Sequence, residues 1–126
     1  MLSYLKGTIL YKGRDFVVLN VHNVGYKVMV HGEFYSQLEL KGEAEIYTHQ
    51  YVREDALDLY GFESYEKLDL FELLLSVSGI GPKSALNAVY IANVAEFKDS
   101  LARGDPSLLT KVSGIGKKTA ERAVLD

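Results

Sequence analysis

Two related glycine-rich stretches carry the residues of this chain that could bind a ligand. The stretch VSGIGPKSALNAV (residues 77–89) returns thirty-five positions later as VSGIGKKTAERAV (residues 112–124), with nine of thirteen positions identical. In each copy a pair of glycines is followed at once by a predicted helix with a lysine in its first turn. The first N–H groups of a helix have no partner inside it, and the helix dipole is positive there. Each stretch therefore predicts an anion site.

Each predicted site is a hairpin between two helices. Its glycines permit positive φ and leave the backbone bare of side chains, while the isoleucine between them is expected to turn inward. A single hairpin of this kind is more often a plain connection between packed helices, but its repetition favours binding. The candidate phosphate-binding residues are Gly79, Ile80, Gly81, Lys83 and Ser84 in the first copy, and Gly114, Ile115, Gly116, Lys117, Lys118, Thr119 and Arg122 in the second.

The glycine spacing favours the phosphates of a polynucleotide over a bound nucleotide. A Walker A loop needs four residues between its first glycine and Gly-Lys, and a dinucleotide fingerprint needs G-x-G-x-x-G after a strand. Neither pattern occurs, and the glycines follow predicted helices. The net charge of -3 argues against a general polyanion binder, but residues 83–122 carry seven basic and four acidic side chains. Contacts to phosphate carry no base information, so we expect binding without sequence preference.

The remaining composition predicts a protein without metal, cofactor or catalytic residues. The chain has no cysteine, and His22, His31 and His49 lack the spacing of metal ligands. No apolar run reaches the roughly twenty residues of a membrane span, and the first ten residues do not form an export signal. We therefore expect a soluble, cytoplasmic protein without a membrane partner.

Residues 4–62 alternate between apolar and polar side chains, which is typical of strands. Turn signals at 12–15 and 23–25 separate three strands, and 53–56 joins two more. The segment 33–42 is interpreted as a polar-aromatic connection between the third strand and the fourth. Five strands in about sixty residues predict a small closed barrel, with the OB-fold preferred and an SH3-like barrel as the alternative.

At Ser64 the apolar period changes from two to about 3.6, which predicts helices. Ser64 is the expected N-cap of a helix to about Val77, Pro82 opens a second helix, and Asn93 caps a third. Asp105-Pro106 begins a fourth, and the last helix reaches Asp126 without a C-cap signal, which indicates a fragment. The predicted fold class is α+β in two domains: an OB-fold barrel over residues 1–63 and an all-α domain with two helix-hairpin-helix repeats over residues 64–126.

The paired sequences SGIGPK and SGIGKKTAERAV resemble tandem helix-hairpin-helix motifs. Together with THQYVREDALDLYGF ahead of them, they make essentially the whole chain similar to the RuvA family of bacterial Holliday-junction-binding subunits. The resemblance implies a homotetramer built by the OB-fold, with the hairpins gripping the arms of four-way junction DNA. It also implies a role in branch migration during recombination and SOS-linked DNA repair. Its implied partners are the RuvB ATPase motor, through a third domain absent from this chain, and the RuvC resolvase. The resemblance leaves open whether one or two tetramers bind each junction.

The resemblance further assigns a role to the turn between the last two strands. Glu54 and Asp55 match the acidic pin of the family, which projects where the four arms meet, and Arg53 is an implied DNA contact beside it. Carboxylates close to DNA phosphates raise the electrostatic energy, so four copies of Glu54 and Asp55 would discourage a continuous duplex from lying at the centre of the tetramer. Without the resemblance, these residues would be interpreted as an ordinary solvated turn.

Three other functions compete with junction binding. A helix-hairpin-helix DNA glycosylase would need a catalytic aspartate, such as Asp99 or Asp105, often with a lysine, such as Lys83, in a pocket between helical domains. The barrel half leaves no second helical domain to form that pocket. A generic duplex or single-strand binder could use tyrosines for stacking; the candidates are Tyr4, Tyr11, Tyr26, Tyr47 and Tyr60. A structural oligomer would use the repeat for packing alone.

Overall fold

The computed structural model describes residues 1–91 and 94–103, which fall into two compact units. The first unit is Met1–Leu68, and the second begins at Asp69. The domain boundary that the sequence predicts, between residues 63 and 64, stays a prediction. In the described residues no helix is long and apolar enough to cross a membrane.

The first unit is a closed barrel of five strands. The strands are β1 (Tyr4–Lys12), β2 (Phe16–Val21), β3 (Val24–Met29), β4 (Glu43–Arg53) and β5 (Ala56–Phe62). They close in the order β1-β2-β3-β5-β4, with β3 parallel to β5 and the other pairs antiparallel. This confirms the predicted five-stranded OB-type barrel rather than the SH3-like alternative.

Alternate positions of the strands fill the barrel interior, as the period of two predicts. Val17, Leu19, Val28 and Ile46 are completely buried. Gly61 lies where the chain passes closest to this core, because a Cβ atom there would be 2.5 Å from the side chains of both Ile46 and Val28. Glycine at this position therefore allows the core to close.

The turn between β2 and β3 differs from the sequence prediction. The sequence predicts a turn at 23–25, but Val24 and Gly25 already belong to β3 and pair with Val21 and Asn20, respectively. The turn is His22–Asn23, with φ values of 50° and 69°. Two consecutive residues with positive φ are typical of a type I′ hairpin, whose twist matches that of the strands.

Replacing His22-Asn23 with Asn-Gly is expected to raise the free energy of unfolding of the barrel by about 1 kcal/mol, because this pair adopts positive φ with less strain. Urea denaturation followed by tyrosine fluorescence measures the change. Asn87→Gly, at an exposed helical position, is the control and is expected to destabilise its helix by about 0.3 kcal/mol. A loss of stability in the turn variant would contradict the type I′ assignment.

A short helix, α1 (Gly32–Gln37), occupies the first part of the segment that the sequence predicts to be a connection between β3 and β4. His31 caps it, since its Nδ1 accepts a hydrogen bond from the Glu33 N–H at 3.1 Å. Phe34 is buried and anchors the helix. At six residues, α1 is too short to show the apolar periodicity by which helices are predicted.

Three further helices follow the barrel: α2 (Tyr65–Leu75), α3 (Pro82–Ile91) and α4 (Val94–Arg103). The Ser64 hydroxyl accepts a hydrogen bond from the Lys67 N–H at 3.3 Å, which confirms the predicted N-cap. The predicted start of α3 at Pro82 is also confirmed. Asn93 and the helices predicted beyond residue 103 lie outside the described residues.

Candidate nucleic-acid interface

The connection from α2 to α3 is a tight loop held by two apolar anchors. Val77 and Ile80 are 4% and 6% exposed, and the Ile80 N–H donates to the Val77 carbonyl at 3.2 Å. The inward position predicted for Ile80 is therefore confirmed. Ser78, Gly79 and Gly81 are exposed on the outside of the same loop. The anchors thus turn the loop backbone toward solvent.

The two glycines of this loop have different roles. Gly79 takes a φ of 93°, which side chains other than glycine rarely adopt. Gly81 was expected to share this freedom, but Gly79 is the one glycine at positive φ in the described part of the chain. A Cβ atom on Gly81 would meet nothing within 4 Å, so its missing side chain leaves open space before α3.

The loop and the first turn of α3 contain unpaired backbone donors. The Gly81 carbonyl accepts the first helical hydrogen bond, from the Ala85 N–H at 3.0 Å. Within residues 1–91 and 94–103, the N–H groups of Gly79, Lys83 and Ser84 have no hydrogen-bond partner. Lys83 is exposed in the first helical turn, and Ser84 beside it is half-buried. The loop therefore combines backbone donors, a positive helix end and an ammonium group, which suits one phosphate.

The second predicted hairpin lies outside the described residues. Its seven candidates, from Gly114 to Arg122, stay sequence predictions.

The hairpin between β4 and β5 carries the predicted acidic residues at its tip. Glu54 and Asp55 link the paired residues Arg53 and Ala56, and both carboxylates are exposed. The inward row of β4 changes from buried Ile46 and Thr48 to Val52, which is 61% exposed. The hairpin therefore extends past the end of the barrel core, with its charges at the far end.

The outer face of this hairpin holds a contact that the sequence reasoning missed. The Arg53 guanidinium lies over the Tyr51 ring, 5.5 Å from its centroid. Tyr51 meets Tyr60 edge-on, with ring centroids 6.3 Å apart and an interplanar angle of 82°. Burial and the nearby Asp58 carboxylate raise the pKa of Tyr60, while the Arg53 charge acts in the opposite direction. The available signal was the spacing of Tyr51 and Arg53, which places them on one face of a strand.

The competing functions find less support in the described geometry. Asp99, the aspartate proposed for a glycosylase, forms an exposed ion pair with Arg103 at 2.9 Å on α4. Tyr4 and Tyr47 are tilted by 57°, and the Tyr4 hydroxyl donates to Glu45 at 2.8 Å, so these rings do not form parallel stacking steps. Asp105 lies outside the described residues. In the part of the chain that the structure describes, no cluster of three or more acidic, histidine or cysteine side chains could hold a metal.

Comparison with known proteins matches both halves of the chain to family models. Residues 1–61 match the RuvA N terminal domain, and residues 71–126 match the SAM-like helix-hairpin-helix tandem. The second match includes both hairpin sequences.

Curated relatives match the chain over its whole length. Proteins named Holliday junction branch migration complex subunit RuvA are 40% identical in Acetivibrio thermocellus, 44% in Trichlorobacter lovleyi and 43% in Thermoanaerobacter sp. strain X514. All three alignments cover 100% of this chain. The chain spans 63% of the length of the first two relatives and 68% of the third.

Proposed function

Because this chain belongs to the RuvA family of Holliday junction branch migration complex subunits, we propose that it binds four-way DNA junctions without reading base sequence. The observation that carries the proposal is the exposed loop before α3, which combines unpaired N–H groups, the exposed Lys83 and open space beside Gly81. Such a site recognises a phosphate of any nucleotide, because phosphate contacts position a protein without specifying a sequence.

Each chain would hold a duplex arm at two points. The first grip is the Gly79–Lys83 loop, and the second is the sequence repeat from Gly114 to Arg122, which has the same residue types thirty-five positions further on. Two phosphate grips per chain raise affinity for any duplex arm. They do not by themselves distinguish a junction from a plain duplex.

The selectivity for junctions would come from the tip of the β4–β5 hairpin. Two unit charges 4 Å apart repel by about 1 kcal/mol in water and by about 4 kcal/mol at the effective dielectric constant near a protein surface. Glu54 and Asp55 are exposed at the end of a projecting hairpin, where they would act on any strand that crosses the centre. A continuous duplex would suffer this repulsion, whereas the strands of an open junction turn away into separate arms.

If the loops bind the arms and the β4–β5 hairpin selects for junctions, several copies of that hairpin must meet at the centre of the junction. We propose a homotetramer, in which a head-to-tail contact closes after four subunits. In a protein of the relatives' full length, a third domain would recruit the RuvB motor, and RuvC would act on the same junction. ATP hydrolysis would belong to the motor, so this chain would be a non-catalytic DNA-binding subunit of the cytoplasm.

A titration with labelled DNA tests the proposed function. We expect four-way junctions of two unrelated arm sequences to bind with Kd values within about threefold of each other, and the single strands that compose them to bind much more weakly. The mass of the complex in solution reports the number of subunits. Preference for a single strand, or for one arm sequence, would contradict the proposal.

A further inference from the structure

Three side chains on the outer face of the β4–β5 hairpin form a row that ends at Arg53. Tyr60 belongs to the buried part of the barrel and is 6% exposed. Tyr51 is half-buried and packs edge-on against it, and the Arg53 guanidinium lies 5.5 Å above the Tyr51 ring. Tyr51 therefore connects the rigid barrel to an exposed cation near the hairpin tip.

The sequence around Arg53 explains why this cation needs to be held. Glu54 and Asp55 follow it directly, and a mobile guanidinium would pair with one of these carboxylates. Within the described residues, Arg53 forms no ion pair with either of them. The face of an aromatic ring attracts a guanidinium, so Tyr51 offers an alternative partner that leaves the N–H donors of Arg53 exposed.

The neighbouring charges favour the same arrangement. Asp58 lies directly across from Tyr51 in the β4–β5 register, on the face that carries Arg53. Burial raises the pKa of the Tyr60 hydroxyl, the Asp58 carboxylate raises it further, and the Arg53 charge lowers it. Asp58 thus puts a negative charge on this face in the body of the hairpin, rather than at its tip.

We propose that Tyr51, braced by Tyr60, is a positioning residue that keeps Arg53 off the tip carboxylates and directed at a DNA phosphate beside the crossover. This inference rests on the proposed function, because it needs a junction strand close to the hairpin. It places an attractive contact directly before two repulsive residues in the chain. The Arg53 contact would hold a DNA strand at a fixed distance from Glu54 and Asp55, whereas the carboxylates alone would only repel it.

A double-mutant cycle on the whole chain tests the inference. The variants are Arg53→Gln, Tyr51→Leu and their combination, with Kd for a labelled four-way junction as the readout. We expect Arg53→Gln to weaken binding about tenfold, as for loss of a charge-assisted hydrogen bond. Tyr51→Leu should weaken it about threefold to fivefold, and the double variant should be no weaker than Arg53→Gln alone.

Two further variants separate positioning from general packing. Tyr51→Phe keeps the ring beneath Arg53 and is expected to bind within about twofold of the wild type. Tyr35→Leu removes the ring that lies 4.2 Å from Lys12 and leaves the hairpin unchanged, so junction binding should not change. Thermal unfolding of each variant reports its stability.

Additive effects in the cycle would overturn the inference, because they would mean that Tyr51 acts through the shape of the hairpin and not through Arg53. An Arg53→Gln variant with wild-type affinity would overturn it as well. Both results leave the proposed function intact if the wild-type chain binds junctions. A wild-type chain that does not bind junctions would instead contradict the proposed function itself.

Discussion

Replacing Lys83 and Lys118 with glutamate lowers the affinity of this chain for a four-way junction and for duplex DNA alike, by about a hundredfold. Lys83 is exposed in the first turn of α3, beside unpaired N–H groups, and Lys118 has the corresponding place in the second sequence repeat. Each substitution removes a contact to phosphate and adds a charge of the wrong sign. Fluorescence anisotropy with labelled junction and duplex measures both affinities.

The same variant should show a shallower dependence of binding on salt, because each lost phosphate contact lowers the slope of log K against log salt by about one. Lys6→Glu with Lys41→Glu is the matched control, since it makes the same change of charge on exposed lysines of the barrel. Lys6 pairs with Glu45 near the beginning of β4, about 26 Å along that strand from Arg53, and Lys41 precedes β4. Unchanged affinity in the Lys83 and Lys118 variant would rule out the hairpins as phosphate grips.

Replacing Glu54 with Gln and Asp55 with Asn should have a different effect. The amides keep the shape of the tip and remove its charge, so duplex DNA should bind about tenfold more tightly. Junction affinity should stay the same or increase slightly, because the arms of an open junction already avoid the tip. The ratio of the duplex Kd to the junction Kd therefore falls, although neither affinity is lost.

Glu39→Gln with Glu43→Gln is the control for this second variant. It removes two exposed carboxylates from the barrel at the end away from the hairpin tip, and it should leave the ratio of Kd values unchanged. A large loss of binding to all DNA in the Glu54 and Asp55 variant would show that the tip attracts DNA or shapes the site. That result would contradict a repulsive role.

The barrel could be predicted from the sequence because its strands alternate regularly, but one of its turns could not. Gly25 suggested a turn, although it lies within β3, where a Cβ atom would be 3.2 Å from a methyl group of Val18. The true turn residues, His22 and Asn23, adopt positive φ without being glycine. Packing against the neighbouring strand, which the local sequence does not reveal, decided where glycine was needed.

The candidate site was predictable to a different extent in its two parts. The loop before α3 follows from local rules, since Pro82 begins the helix and Ile80 is buried as expected. The contact of Arg53 with Tyr51 depends on the extension of the hairpin past the barrel and on the position of Tyr60 on β5. Pairing between strands sets both, so the sequence indicated Arg53 and missed the residues that hold it.

The most direct test of junction selectivity is a competition between junction and duplex for the wild-type chain. A complex with a labelled four-way junction is challenged with an unlabelled junction and, separately, with an unlabelled duplex of the same nucleotide number and composition, at one fixed salt concentration. We predict that the duplex needs at least about a tenfold higher concentration to displace half of the label. Equal displacement by the two competitors would contradict the account.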